Sequence, residues 1–348
     1  MNKEFVIQLF NVGPNQGSRR LRPRAVASTA FQSMGLDVEV WTPHRWPWNP
    51  FARMHNAYRG LDPVRALKVL LTARNADLIC GHLESTVLIL LLRRLFRFRV
   101  PVLIWEMPWS PGWRFREIVS RLALPRAQGC VVFSRNQIDL IHKEYGTNVP
   151  VHFQRFHTDT DFYSPRPASA SARRTVWSCG LDAGRDFSVL LEASRHVDAL
   201  FLIKAKNLTA PADQFPNVCL ENRFLPPEEF RQNYANAAVV VVCTHDTPNA
   251  SGVTSLMEAL SMGRPTIVSD NPALRDYISP DVAMVVPVGD AEALRQAITY
   301  LLKNPGAAEA MGLKARAFAL KYFSAERHYA DMAKLYRALT DETPAKTA

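Results

Sequence analysis

Short apolar runs rich in β-branched residues alternate with segments of helical periodicity along the 348 residues of the chain. Such runs predict strands buried on both faces, and their alternation with helices predicts parallel α/β units. In the first half the predicted strands are FVIQLF, VEVW, ADLIC, VPVLIW and CVVFS. In the second half they are TVWSC, ALFLIKA, NVCLE, AVVVVCT, PTIVSD and AMVVPV. The pattern therefore predicts two doubly wound, parallel-sheet domains.

A segment rich in Pro, Ser and Ala, SPRPASASARR at residues 164–174, separates the two halves and indicates a linker. We therefore expect an N-terminal domain over residues 1–163 and a C-terminal domain over residues 175–323. A last helical segment follows over residues 324–348. Two doubly wound domains joined in this way normally place the ligand in the cleft between the carboxyl ends of their strands.

The stretch at residues 249–278 combines a loop of small residues, a short amphipathic helix and a buried strand. Asn249, Ser251 and Gly252 leave the main chain open at a helix start, where N–H groups and the helix dipole favour a phosphate. Glu258 lies on a polar stripe of that helix, roughly 6 Å along the axis from its first turn. This spacing suits a diphosphate and the ribose of one nucleotide. The alternative is an ordinary helix N-terminus with a solvated glutamate.

The positive charge of the chain belongs to its first half. Up to residue 170 there are 23 Lys and Arg against 12 Asp and Glu, a net charge of +11, whereas the remainder has 19 against 20. Such a surface attracts polyanions, anionic lipid headgroups or phosphorylated substrates, with solvated arginine-rich helices as the alternative. We do not expect nucleic acid as a partner, because no recognised binding motif accompanies the charge.

Two segments of the first half are typical of a membrane surface. HRWPWNPFAR at residues 44–53 interleaves basic and aromatic residues, which suits interfacial contact, sugar stacking or core packing. LLLRRLFRFR suits a helix that lies on anionic lipid while its apolar part packs on the first sheet. The longest apolar run, TVLILLL, is far too short to span a bilayer. The N-terminal apolar run is too short for a signal peptide and predicts a strand.

The five cysteines are widely spaced and lie mostly in apolar, strand-like runs. This pattern favours small buried side chains in a reducing, cytoplasmic compartment. Because there is no CxxC pair or Cys/His cluster, the sequence does not predict a metal site. Asp159 and Asp161 form a DxD sequence, which in other transferases binds a divalent ion, but they lie in an interdomain element.

The order of these pieces resembles the retaining GT-B glycosyltransferases of the group 1 family, which includes glycogen synthase and bacterial lipid-linked and surface-polysaccharide transferases. The resemblance covers nearly the whole chain and is strongest after residue 150. The motifs that carry it are FHTDTDFYSP, SCGLDAGRDFSVLLEA, EALSMGRPTIV and VGDAEAL. It implies two Rossmann-like domains facing across a cleft, and a terminal helix, FSAERHYADMAKLYRAL, that crosses back to the first domain.

The resemblance also implies roles for particular residues. Arg185, with either Lys204 or Lys206, would neutralise the departing nucleoside diphosphate without a metal. Glu258 would accept hydrogen bonds from the ribose hydroxyls. For Arg185 the alternative is a surface arginine paired with Asp186 or Glu192. The implied donor-binding residues are Gly17, Gly180, Arg185, Lys204, Lys206, Asn249, Ser251, Gly252, Val253, Thr254 and Glu258.

The chain also departs from the family pattern. A second glutamate that contacts the donor sugar in many members is replaced by Ala250, so that contact must come from elsewhere, such as Asp246, Asn249 or backbone N–H groups. The family's histidine after the fourth strand is also missing. Glu106 near that position and His82 after the third strand are the catalytic candidates besides Arg185, each with a structural role as the alternative.

A glycine loop, NVGPNQGSRRLRPRA, follows the first strand and contains Gly17. It resembles the family's first glycine loop, which closes over donor and acceptor. Arg19 and Arg20 in this loop suit a phosphate of the donor or of a lipid diphosphate acceptor, and a solvated basic cluster is the alternative.

The resemblance predicts an enzyme that transfers a sugar, with retention, from a UDP, GDP or ADP donor to a glycan or lipid-linked acceptor in cell-envelope polysaccharide synthesis. We expect no cofactor or metal, and a cytoplasmic location, peripheral on the inner face of the plasma membrane. Two alternatives stay open. One is a GT-B-like nucleotide-sugar epimerase or hydrolase, and the other is a catalytically inactive module that binds polyanions or membranes.

Overall fold

The computed structural model describes residues 4–9, 30–41, 62–105, 114–169, 174–206, 208–211 and 213–341. It divides into two compact units, Met1–Gln154 with Tyr329–Ala348, and Arg155–His328. The segment before the predicted linker, residues 155–163, therefore belongs to the second unit. The glycine loop with Gly17, Arg19 and Arg20, the aromatic segment 44–53 and Glu106 lie outside the described residues.

The first unit contains a parallel sheet of six strands. Its strands are β1 Glu4–Leu9, β2 Leu36–Trp41, β3 Leu78–Gly81, β4 Val102–Ile104, β5 Gly129–Val132 and β6 Val151–Phe153. Their order is β2-β1-β3-β4-β5-β6, so the direction of winding reverses between β1 and β3. The helices between these strands are α1 Pro63–Thr72, α2 Leu83–Leu92, α3 Arg114–Ala123 and α4 Asn136–Tyr145.

The second unit has a parallel sheet of its own. Its strands are β7 Thr175–Gly180, β8 Leu200–Ala205, β9 Val218–Leu220, β10 Ala237–Val242, β11 Thr266–Ser269 and β12 Met284–Val286. Their order is β9-β8-β7-β10-β11-β12, with the reversal between β7 and β10. The helices are α5 Phe187–Ser194, α6 Pro227–Asn236, α7 Val253–Ser261, α8 Ala291–Lys303, α9 Pro305–Tyr322 and α10 Ala325–Asp341. The two doubly wound sheets predicted by the alternating pattern are therefore confirmed.

Both faces of the second sheet are buried, which explains its continuous apolar strands. Successive residues of β7 point to opposite faces: Val176 packs in a cluster with residues of α5 and α8, and Trp177 in a cluster with residues of α6 and α7. In β10 the side chains of Val241 and Val242 divide between the same two clusters. The run AVVVV is thus a strand at the centre of the sheet.

The last helix, α10, contributes its first turn to the second unit and its remaining residues to the first. Within the first unit, Tyr336 packs against the sheet: its hydroxyl accepts a hydrogen bond from Gln8 Nε2 at 3.0 Å, and the ring lies 5.9 Å from that of Phe31. Tyr336 is fully buried. The apolar side of α10 therefore covers β1 of the first sheet.

The FHTDTDFYSP segment packs beside the start of α10 within the second unit. The His157 ring stacks on His328 with centroids 4.2 Å apart, and Nδ1 of His328 lies 2.9 Å from the Arg155 carbonyl oxygen. Burial lowers the pKa of His157 to about 4 and that of His328 to about 3. Both rings are consequently neutral at neutral pH, which favours their stacking.

Four of the five cysteines are buried free thiols, as their apolar sequence context predicts, and Cys219 is exposed. No helix in the part of the chain that the structure describes combines the length and the hydropathy of a bilayer-spanning segment.

A close contact between two glycines fixes α9 on α7. The main chain of α9 at Gly312 lies against the carbonyl group of Gly263, in the turn that follows α7. Gly312 is buried, and a Cβ atom there would overlap the Gly263 carbonyl oxygen. The two helices can approach this closely only because position 312 has no side chain.

We predict that Gly312→Ala lowers the free energy of unfolding by roughly 1–3 kcal/mol, the usual cost of overpacking a filled interface. Gly306→Ala is the matched control in the same helix, since nothing lies within 4 Å of its Cβ position. The control should be neutral or stabilising by up to about 1 kcal/mol. Chemical denaturation of both variants measures the difference, and equal effects would contradict the packing argument.

Candidate functional site

The reversal between β7 and β10 marks the point where a doubly wound sheet normally binds its ligand, outside the carboxyl ends of the strands. Two loops leave the sheet there, residues 181–186 after β7 and residues 243–252 after β10. The first leads into α5 and the second into α7. Both helices therefore begin at the carboxyl edge of the sheet, and their first N–H groups face the same region as these loops.

Arg185 lies at this reversal with its side chain buried and only 5% of the residue exposed. Its Nε donates to the carbonyl oxygen of Cys243 at 3.0 Å, and its Nη1 donates to the carbonyl oxygen of Cys179. The hydroxyl of Ser255, in the first turn of α7, accepts from Nη1 at 3.4 Å. The guanidinium group thus joins the end of β7, the end of β10 and the start of α7.

The positive charge of Arg185 has no carboxylate within ion-pair distance among the described residues. Asp186 instead caps α5, accepting from Val189 N at 3.3 Å, and Glu192 pairs with Arg195 at 2.9 Å. The alternative of a surface arginine paired with Asp186 or Glu192 is therefore wrong. A buried cation that touches only neutral acceptors attracts an anion.

The two loops are hydrogen-bonded to each other. Asp182 Oδ1 accepts from the hydroxyl of Ser251, and Gly184 O accepts from His245 N at 2.9 Å. Asp186 N donates to Cys243 O at 3.1 Å. These contacts hold the two loops together beside the guanidinium group of Arg185.

Two glycines make room for this arrangement. A Cβ atom on Gly180 would lie 2.6 Å from Nη1 of Arg185, so only glycine lets the side chain fold back over the end of β7. Gly252, the residue before α7, has φ +77°, a left-handed conformation that glycine adopts without strain. Its main chain also passes close to Arg185. The predicted donor residues Gly180, Arg185, Ser251 and Gly252 thus lie together in the structure.

Glu258 is buried and not solvated, with 1% of the residue exposed. Its Oε2 accepts a hydrogen bond of 2.7 Å from the hydroxyl of Tyr234 in α6. Burial raises the pKa of the Cys179 thiol, with the Glu258 carboxylate adding to the effect and Arg185 opposing it. The negative charge of Glu258 and the positive charge of Arg185 therefore both lie near the Cys179 thiol, at the end of β7. The expected polar stripe of α7 is an internal stripe, because residues 255–261 are all buried.

Of the two lysine candidates, Lys204 is part-buried and Lys206 is exposed beyond the end of β8. Lys204 pairs with Cys179 in the parallel register, but its Nζ donates to the carbonyl oxygens of Arg223 at 2.5 Å and Glu221 at 3.4 Å. The structure therefore directs Lys204 towards the loop after β9. The remaining donor candidates are partly exposed at the start of α7: Asn249, Val253 and Thr254.

Comparisons with known proteins give a family match and several solved structures of similar fold. Residues 190–334 match the model of a family described as glycosyl transferase-like. A glycosyltransferase from Rickettsia africae aligns with a TM-score of 0.72 at 12% identity, over 98% of this chain and 100% of its own. Sucrose-phosphate synthase from Thermosynechococcus elongatus aligns with a TM-score of 0.73 at 18% identity, over 97% of this chain and 99% of its own. Anabaena HepE in complex with UDP-glucose aligns with a TM-score of 0.69 at 15% identity, over 96% of this chain and 99% of its own.

The chain has the GT-B fold. None of the curated protein sequences compared with the chain matches it. The family match and the GT-B fold together support a glycosyltransferase of the GT-B type. The matched residues include Ser251 to Glu258 but begin after Arg185.

In the first GT-B unit, His82 lies at the carboxyl end of β3, beside the reversal of that sheet. It is the residue before α2, and its carbonyl oxygen accepts from the main-chain N–H groups of Ser85 and Thr86 at 3.0 and 3.1 Å. These hydrogen bonds involve the main chain of His82 and not its imidazole ring, so its catalytic role stays a prediction. The other two candidates on this side, Gly17 and Glu106, lie outside the described residues.

Asp159 of the DxD sequence closes a turn: its Oδ1 accepts from Phe162 N at 2.8 Å. Three residues of the candidate site did not follow from the sequence. Ser255 donates to the carbonyl oxygen of Cys179 at 2.9 Å, Asp182 binds Ser251, and Tyr234 binds Glu258. Asp182 could have been expected from its place two residues after Gly180 in the SCGLDAGRDFSVLLEA motif. Tyr234 gave no signal, because four-residue spacing from Phe230 predicts only a core position.

We predict that Tyr234→Phe lowers the free energy of unfolding by roughly 1–3 kcal/mol, because it removes a donor from the buried carboxylate of Glu258. Tyr300→Phe is the control, since Tyr300 on α8 is 50% exposed. Its effect should stay within about 0.5 kcal/mol. Denaturation curves of the two variants compare the hydroxyl groups directly, and equal stabilities would show that the Tyr234 bond contributes nothing.

Proposed function

We propose that the chain is a glycosyltransferase that moves a sugar from a nucleoside-diphosphate sugar to a lipid-linked or surface glycan acceptor with retention of configuration. The observation that carries this proposal is the buried guanidinium group of Arg185 at the reversal of the second sheet. It has no carboxylate partner among the described residues, and the N-terminus of α7 lies beside it. Both features favour a diphosphate at the same place.

UDP-glucose is the first donor to test. Anabaena HepE was solved with UDP-glucose, and sucrose-phosphate synthase has the same fold. We infer a nucleotide in the second unit, with its diphosphate on the main chain of residues 251–254 and on Arg185. The ribose role of Glu258 requires its carboxylate, which is buried beside Tyr234, to become accessible when the donor binds.

In the proposed reaction, the bond between the anomeric carbon and the diphosphate oxygen breaks while a bond forms to the acceptor oxygen on the same face of the sugar. The acceptor proton passes to the leaving diphosphate. Arg185 stabilises the negative charge that develops on that leaving group. This role needs no metal or cofactor, because the positive charge belongs to the protein.

The roles of the remaining candidate residues are also proposals. Lys204 or Lys206 assists with the diphosphate, and Asp246 or Asn249 takes the sugar contact that Ala250 cannot make. His82 and Glu106 are proposed as catalytic residues besides Arg185, and Gly17 as a donor-binding residue. We place the enzyme in the cytoplasm.

We predict that full-length protein incubated with UDP-glucose and octyl glycosides, which stand in for a lipid-linked acceptor, forms a product with the anomeric configuration of the donor. UDP-, GDP- and ADP-sugars are compared in parallel, with proton NMR of the anomeric signals as the measurement. An inverted product would contradict retention. Turnover of the donor at an equal rate without acceptor would instead indicate an epimerase or hydrolase.

A further inference from the structure

Large aliphatic side chains are exposed on three neighbouring helices of the first unit, in which α2 packs between α1 and α3. Leu95, just beyond α2, is 77% exposed, and Leu71 of α1 and Leu122 of α3 are 50% and 51% exposed. Leu67 and Ile118, one turn earlier in α1 and α3, are 44% and 56% exposed. A spacing of four places each pair on one side of its helix. The opposite sides are buried in the core.

The carboxyl ends of these three helices are held next to one another. Arg74, after α1, donates from Nη2 to the carbonyl oxygen of Phe96 at 2.8 Å. Arg93, at the end of α2, donates from Nη1 to the carbonyl oxygen of Arg126 at 2.8 Å. The exposed leucines at the three ends therefore belong to one surface, which we call the leucine–arginine face. We define it by Leu71, Leu92, Leu95, Leu122, Arg94 and Arg99.

The charge of this face has one sign. The segments 68–76, 92–102 and 118–126 contain eight Lys and Arg and no Asp or Glu. Arg74 and Arg93 are used to bind main-chain carbonyl groups. Arg94 and Arg99 are exposed and make no side-chain hydrogen bond or ion pair within the described ranges. These two side chains are consequently available to bind anions.

Exposed leucines rimmed by arginines fit a lipid surface better than other anionic partners. Nucleic acid is bound through phosphate contacts and base stacking, to which exposed leucines add nothing. A second copy of the chain on the same face would bring two sets of arginines together. An anionic bilayer matches both the leucines and the arginines of this face. The leucines enter the boundary between headgroups and acyl chains, and the arginines bind lipid phosphates.

We propose that the leucine–arginine face is the surface by which this chain lies on an anionic membrane. The proposal does not depend on the donor site, since the face belongs to the first unit and Arg185 to the second. It also differs from the sequence-based expectation. The LLLRRLFRFR segment does not act alone, because the ends of α1 and α3 complete the surface.

Co-sedimentation with phosphatidylcholine vesicles, with and without phosphatidylglycerol, tests the proposal. The full-length protein should bind only vesicles that contain phosphatidylglycerol, and added salt should weaken binding. The double variant Arg94→Gln, Arg99→Gln should bind roughly 25-fold more weakly, a factor of five for each arginine. Leu95→Ser should weaken binding by roughly tenfold or more, because a buried leucine is lost.

The matched controls are exposed residues outside the face. Leu313 on α9 is 69% exposed, so Leu313→Ser removes a similar leucine from the second unit. Lys143→Gln with Lys303→Gln removes two exposed charges from α4 and α8. Both controls should bind vesicles within about twofold of the unsubstituted protein.

Three results would overturn the proposal. The first is equal vesicle binding by the face variants and their controls. The second is self-association, measured by sedimentation velocity, that Leu95→Ser abolishes, since this would make the face a contact between copies. The third is retention of a polynucleotide in place of phosphatidylglycerol vesicles. Donor turnover with a soluble acceptor should be unchanged in all face variants, so that failure here is distinguishable from failure of the glycosyltransferase proposal.

Discussion

The buried guanidinium group of Arg185 is the interaction on which the second unit's site depends. It binds the carbonyl groups that end β7 and follow β10, the two strands between which the winding reverses, and it reaches the first turn of α7. Neutral partners satisfy its hydrogen bonds, and no carboxylate in the described part of the chain lies at ion-pair distance from it. Burying such a charge costs free energy unless an anion approaches. The glycines at positions 180 and 252 and the paired loops around them follow from the need to enclose this side chain.

Much of the fold followed from the sequence, because burial on both faces of a parallel sheet produces apolar runs such as AVVVV that no other element explains well. The start of α8 was also predictable, since Asp290 Oδ1 accepts from Ala293 N at 2.8 Å as an N-cap should. The environment of Glu258 was not predictable. Its carboxylate is buried against the Tyr234 hydroxyl of α6, and a contact between side chains 24 residues apart in sequence leaves no local pattern. For the same reason the direction of the Lys204 side chain depends on the loop after β9.

The basic excess of the first half serves two physical roles that composition alone does not separate. Some arginines bind carbonyl groups at helix ends, where cations also oppose the negative end of the helix dipole. Arg93 and Arg74 do this in the first unit. Other arginines stay exposed beside leucines at the same helix ends. Charge near exposed apolar side chains, rather than the total charge, distinguishes a lipid-facing surface from an ordinary solvated one.

We infer that Arg185 holds the diphosphate of the donor, and calorimetric titration of UDP into the full-length protein tests this most directly. Arg185→Gln removes the cation, and Arg195→Gln, on the surface of the same unit, is the control. Thermal unfolding establishes that each variant is folded. We expect UDP to bind Arg185→Gln roughly tenfold to a hundredfold more weakly, the range for charged hydrogen bonds, with the control unchanged. Equal UDP affinity in a folded Arg185→Gln protein would contradict the account.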